Sequence, residues 1–260
     1  MDLGLKGKYA LITGASHGIG RSIALALAEE GCNVAICARN ESRVKQVADE
    51  IRDKGVDSLG FVADVMNPNE IKKVMSSFIK KWGTIDILVN NVGGGGRWGK
   101  DDVGKTEEKI WIDVYNKNAL AAIRFTMQAI PHMRRQKWGR VITVTSIFGR
   151  EGGGRPWFNM AKAAQTALMK NLSMNPGLVR DGITFNSVAP GAIMIPDTGW
   201  AQERDKNPRE FDRKIKSEFP LGRLGTPEEV ANIIIFICSR QASLLNGASI
   251  PIDGGEGHSF

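Results

Sequence analysis

The sequence predicts an α/β domain built around a doubly wound, seven-stranded parallel sheet. Short β-branched runs alternate with longer amphipathic stretches along all 260 residues, the signature of consecutive βαβ units. A glycine-rich turn stands between the first run and the first helix. No linker, repeat or low-complexity segment divides the chain, so residues 1–260 read as one domain, and a hydrophobic content of 42% suffices for its core.

The first strand is read at 8–13, where KYALIT turns apolar, and the first helix at 18–30, behind the glycine turn. NVAICA makes the second strand (33–38), the amphipathic stretch 41–54 the second helix, and SLGFV the third strand (58–62). A helix over 68–81 and the strand IDILVN (85–90) complete the first half. The second half is read as helix 106–136, strand 140–145, helix 157–174, strand 183–188, a long charged stretch, helix 226–238 and a last strand near 248–252. Ligands of such a sheet bind beyond the carboxyl ends of its strands. The glycine runs Gly93 to Gly96 and Gly152 to Gly154 each follow a strand and fall on that edge. The stretch 193–220 is long for an αβ connection and is expected to form the substrate loop, as a lid.

Composition excludes several classes. The formal charge is +7 and the pI near 9.4, but the basic residues are dispersed, so no nucleic-acid partner is expected. Arg134, Arg135, Lys137 and Arg140 read as a helix end, where cations meet terminal carbonyls. Cys32, Cys37 and Cys238 lack CxxC spacing and read as thiols of a reducing compartment, and no metal-ligand pattern accompanies them. With no signal-like h-region and no apolar run longer than Ile233 to Cys238, a cytoplasmic protein without a membrane partner is expected.

The first strand runs into Thr13-Gly14-Ala15-Ser16-His17-Gly18-Ile19-Gly20. Glycines there permit a tight turn and let backbone N–H groups approach a pyrophosphate at the positive end of the helix, as in a Rossmann dinucleotide site. After the second strand, an NAD-selective site would place a carboxylate for the ribose 2′-hydroxyl. Arg39 stands there instead, with Ser16 and His17 nearby in the turn, which favours a 2′-phosphate and hence NADP as cofactor.

The TGxxxGxG turn, Asp64 after strand three, Asn90-Asn91-Val92-Gly93 after strand four, Asn118, Ser146, Lys162, Pro190-Gly191 and Ile252-Asp253-Gly254-Gly255 together resemble the short-chain dehydrogenase/reductase family, in its ketoacyl-reductase-like branch. The resemblance runs from residue 5 to about 255. It implies that Asp64 and Val65 border the adenine, that Asn90 holds the nucleotide edge, that Lys162 holds the nicotinamide ribose, and that Pro190 and Gly191 border the nicotinamide. Val92 departs from the family's usual alanine, altering the pocket floor beside Gly93. It also implies carbonyl and secondary-alcohol interconversion on a small organic substrate, with Ser146 bonding the carbonyl oxygen and Asn118 holding a water that relays protons to Lys162. Ser146 has a second reading, as a strand-end serine capping a turn.

Phe158 breaks this set. Positions 158 and 162 share a helical face, so a tyrosine at 158 would stand beside Lys162 and ionise more readily, whereas phenylalanine has no proton to give. The loss of a general acid is worth about 10²–10⁴-fold. Tyr115 is the one nearby phenol. Phe158 admits three readings: an engineered removal of the phenol from an oxidoreductase, a natural reductase that uses water, Lys162 or an acidic substrate as proton donor, or a non-redox NADP-binding or regulatory protein.

Trp98, Phe148, Trp157, Met194 and Trp200 are expected to border the substrate, with Arg97 and Arg155 nearby. That mix suits an apolar or aromatic carbonyl compound with an anionic group. The helix from Trp157 to Met174 carries Ala163, Ala164, Ala167 and Leu168 around much of its circumference, so one face covers the sheet and the other needs a partner. A homotetramer is expected, as the resemblance also implies.

Overall fold

The computed structural model describes residues 1–260. β1 (Tyr9–Thr13), β2 (Asn33–Ala38), β3 (Ser58–Val62), β4 (Ile87–Asn90), β5 (Gly139–Val144), β6 (Ile183–Pro190) and β7 (Ser249–Ile252) form a single parallel sheet in the order β3-β2-β1-β4-β5-β6-β7. The order reverses between β1 and β4, whose register pairs Leu11 with Leu88, and this switch point opens a crevice at the carboxyl ends.

Side chains alternate across a strand, so the sheet buries two separate apolar faces. Ala10, Ile12, Ile87, Val89, Ile142 and Val144 pack under α1 (Gly18–Glu29), α2 (Glu41–Arg52) and, after β6, the helix Pro227–Cys238. Leu11, Leu88, Val141 and Phe185 face the other way, under α3 (Pro68–Trp82) and the helices that follow β4 and β5. Both faces are covered, which is why the central strands read as continuous apolar runs rather than alternating ones. The helix starts follow local chemistry: Asn40 Oδ1 accepts from Arg43 N–H, Asn67 caps α3 just before Pro68, and Thr226 forms a capping box with Glu229 ahead of Pro227. No helix is long and apolar enough to cross a membrane.

Two stretches differ from expectation. The helix read over 106–136 is two helices, α4 (Glu108–Tyr115) and α5 (Ala121–Gln136), joined by a π-helical turn over Asn116–Leu120. Hydrophobic period does not report a single widened turn, and such turns concentrate at functional sites. After α6 (Pro156–Ser173), the short α7 (Pro176–Val179) and β6, the charged stretch 193–220 folds into α8 (Gly199–Lys206) and α9 (Pro208–Glu218). Its own small cluster of Phe211, Ile215 and Leu224, backed by Trp200 and Phe219, explains the order; α10 is the helix Pro227–Cys238. In the predicted helix-end cluster, Arg134 and Lys137 both pair with Asp181, while Arg140 is buried and donates to the carbonyls of Gly139, Gly182 and Ser239.

Candidate active site

A cavity of about 640 Å³ lies at the carboxyl ends of the strands, running from the β1–α1 turn to α8. At its base, Thr13 Oγ1 accepts from the N–H groups of Asn91 and Val92, both at 3.0 Å, and Asn91 Nδ2 donates to the carbonyls of Thr13 and Gly14 at 2.9 and 3.1 Å. This lacing joins the ends of β1 and β4 and shapes the glycine turn. Gly14 and Gly18 have φ of +66° and +54°, and a Cβ at Gly20 would lie 2.6 Å from the Gly14 carbonyl oxygen, so the turn has no room for side chains. The start of α1 faces the cavity with no side-chain cap at His17, leaving its first N–H groups to an anion.

Gly14, Ser16, His17, Gly18, Ile19 and Gly20 line the cavity, as do Arg39, Asp64, Val65, Val92, Gly93, Pro190 and Gly191. Asn90 does not. It is 2% exposed and donates inward to Thr126 Oγ1 (3.0 Å) and Thr143 Oγ1 (3.4 Å), because strand alternation sends it away from the edge; Asn91, the next residue, lines the cavity. Arg39 makes no side-chain hydrogen bond or ion pair, whereas Arg43, four residues on, reaches Asp197 of the 193–220 stretch at 3.3 Å. Burial and the nearby Arg43 lower the pKa of His17 below the usual imidazole value.

The facing wall of the cavity gathers Ser146, Phe158 and Lys162. Ser146 Oγ accepts from the N–H of Phe148 at 3.2 Å, so it caps the 3-10 turn Ile147–Gly149 and lines the cavity as well; its two readings are compatible. Lys162 is 4% exposed and donates to the Val144 carbonyl at 3.1 Å. Burial, with a smaller contribution from Lys117, pulls its ammonium down to about 7. A Cβ at Gly93 would lie 2.8 Å from both Lys162 Nζ and Asn118 Oδ1, so a larger residue there would have to displace these side chains. Asn118 is fully buried in the π turn, and its side chain clamps the glycine loop: Nδ2 donates to the Gly94 carbonyl at 2.8 Å and Oδ1 accepts from Gly94 N–H at 3.2 Å. Its backbone carbonyl accepts from Gln165 Nε2 at 3.1 Å.

The phenyl ring of Phe158 packs on Gly96, where a Cβ would approach its Cγ to 3.4 Å. Tyr115 does not reach the cavity and packs against the Val114, Trp157 and Ala161 cluster. Of the expected substrate residues, Trp98, Trp200 and Arg97 line the cavity. Four do not. Trp157 is fully buried edge-on to Trp111, Phe148 packs beneath Gly153 and Gly154, Met194 joins the α9 cluster, and Arg155 is held by Asp101 and the Lys100 carbonyl. Sequence reasoning passed over Lys117 and gave Asn91 no role beyond its place in the motif after β4. Lys117 precedes Asn118, lines the cavity and lies over the Trp98 ring at 4.7 Å.

A glycine turn opening the first helix at the sheet's switch point, with a serine and a buried lysine on the facing wall, defines a dinucleotide-dependent oxidoreductase acting on carbonyl and alcohol groups. Residues 14–256 match the family model described as Enoyl-(Acyl carrier protein) reductase. The 3-oxoacyl-acyl-carrier-protein reductase FabG of Staphylococcus aureus (strain Mu50) is 36% identical over 251 residues, covering 95% of this chain and 97% of that protein. The cyclohexanol dehydrogenase of Rhodococcus sp. (strain TK6) is 35% identical over 270 residues, covering 98% and 97%. The crystal structure of L-sorbose reductase from Gluconobacter frateurii, complexed with NADPH and L-sorbose, superposes with a TM-score of 0.91 at 31% identity over 100% of both chains. The chain belongs to the short-chain dehydrogenase/reductase family, whose members are NAD(P)-dependent carbonyl and alcohol oxidoreductases.

Proposed function

We propose that this chain binds NADP(H) and interconverts a carbonyl and a secondary alcohol on a small organic substrate, with proton transfer impaired by Phe158. One observation carries the reading: a single cavity joins the glycine turn and Arg39 to Ser146 and Lys162, while the side chain at 158 offers a ring and no hydroxyl. The cradle fits the cofactor, since Gly14, Gly20 and Gly93 have no space for a Cβ and Arg39 has no protein partner to give up. When bound, the nicotinamide supplies or accepts the hydride. Ser146 is assigned to the carbonyl oxygen, Lys162 to the ribose hydroxyls, Pro190 and Gly191 to the nicotinamide, and Asp64 and Val65 to the adenine.

A second reading rests on Lys162 itself. An amine brought down to about 7 by burial exchanges protons at neutral pH, which supports a reductase in which Lys162 stands in for the missing phenol. The two readings part in one experiment: steady-state NADPH oxidation by this chain and by Phe158→Tyr across a panel of ketones. Turnover only in the tyrosine variant supports impairment; equal turnover supports Lys162. NADPH binding without turnover in either chain supports the non-redox NADP-binding or regulatory reading, and absence of NADPH binding in both removes the NADP reading.

A further inference from the structure

The cavity is unbalanced in charge. Arg39, Arg43, Arg97, Lys117 and Lys162 line it, and Asp64 is the one carboxylate among the lining residues, with its Oδ1 accepting from Met66 N–H at 3.0 Å. Arg39 and Arg43 belong to the end of β2 and the start of α2, the side of the adenosine phosphates. Arg97 lies at the other end. Its guanidinium packs so tightly on Gly199, the first residue of α8, that a Cβ there would overlap it, and it has neither a hydrogen bond nor an ion pair.

Its surroundings do not neutralise it. Glu203 is already paired with Lys214 at 2.6 Å, a bond that raises the lysine's pKa, and Asp101 is taken by Arg155. Lys117, over Trp98, adds a second cation, whose own pKa is lowered by burial and by Arg39. Trp98 and Trp200, each next to Arg97 or Gly199 in the chain, give this end of the cavity apolar surface, with Thr198 as a neutral polar neighbour. An unpaired guanidinium beside such surface gains strongly from a bidentate oxyanion.

We infer that the substrate is an apolar-bodied ketone bearing an oxyanion, a carboxylate or a phosphate, which Arg97 binds at the α8 end of the cavity. This rests on the oxidoreductase reading and assigns the charge recognition to Arg97 rather than to Arg155, which is already engaged.

The test is calorimetry on the NADP⁺-loaded chain with three probes of one shape: 4-acetylbenzoate, 4-acetylphenyl phosphate and the neutral methyl 4-acetylbenzoate. The better anion is expected to bind at least about 10-fold tighter than the ester, since hydrogen bonds to charged groups are worth about 10–100-fold. Arg97→Gln should erase that preference while leaving the ester within about 2-fold, and Arg97→Lys should recover part of it. Which anion prevails identifies the oxyanion. An ester that binds as tightly as both anions, or a preference that survives Arg97→Gln, overturns the inference while leaving the oxidoreductase reading intact. Failure to load NADP⁺ overturns both.

Discussion

Lys162 Nζ lies 5.7 Å from the centroid of the Phe158 ring, the two side chains one turn apart on α6 with the ring turned to Gly96 and the cavity. A hydroxyl added to that ring would meet the lysine's field with little change in shape. Phe158→Tyr is therefore expected to raise kcat by at least about 10² with substrate affinity nearly unchanged, and Lys162→Ala in the tyrosine background should abolish the gain. A tyrosine variant that stays inert toward a ketone shown to bind beside the cofactor would falsify the impairment reading.

Lys162 also imposes a pH dependence. Its folded pKa is depressed from 10.5 to about 7, so between those values the unfolded chain holds a proton that the folded chain lacks, and stability rises with pH. Below about 7 the full burial penalty is present. The thiols of Cys32 and Cys37, raised by burial to about 12, act oppositely once unfolded cysteine ionises near 9. Denaturant melts of the cofactor-free protein from pH 7 to about 8.5 should show the rise. Lys162→Met should flatten it and be the more stable protein at pH 7.

Arg39 stands at the end of β2 with no carboxylate beside it to take a ribose 2′-hydroxyl. NADP(H) is expected to bind at least tenfold tighter than NAD(H), and Arg39→Ala should remove most of that difference, because a charge-assisted bond to phosphate is worth about 10-fold or more. Titration of both cofactors by calorimetry decides it. Equal affinities, or unchanged NADP binding by Arg39→Ala, would remove this role.

Gly93→Ala is expected to cost about 1–3 kcal/mol in stability, as overpacking does. The new methyl would press on Lys162 Nζ and Asn118 Oδ1 together, and both are buried with little room to yield. Dinucleotide affinity should fall with it. Thermal melts and cofactor titration measure the two effects; a stable variant with full affinity would show that the loop gives way freely.

Ile112 on α4, Met127 on α5 and Met160 on α6 are 52%, 58% and 44% exposed, large apolar side chains left outside the buried clusters that these helices help to form. Association through these helices into a homotetramer is expected. Light scattering at micromolar concentration checks it, and a monodisperse 28.4 kDa species would exclude it.

Much of this site is legible in the chain because its constraints are local. A glycine needing positive φ, a strand-ending run of β-branched residues, or the absence of a carboxylate after NVAICA is set within a few residues. Direction is another matter. Asn90 and Asn91 are adjacent, and only the pairing of β4 between β1 and β5 decides which faces the cavity and which is buried against Thr126 and Thr143. The same holds for the aromatics, where Trp98 reaches the cavity and Trp157 fills the space beneath α4.

The sequence by itself determined the sheet of βαβ units, the glycine turn, the family and the missing hydroxyl at 158, since each is written in residue type and spacing. Tertiary structure alone decided that Asn118 sits in a π turn clamping Gly94, that 193–220 folds into two helices, and that Lys162 is brought near neutrality. Those outcomes depend on packing between segments far apart in the chain: α4 against α6, α8 against the Arg97 loop, and the walls that exclude water from an ammonium group. Residue spacing carries no record of such distances, and burial, which sets both the lysine's charge and the loop's shape, exists only once the segments have met.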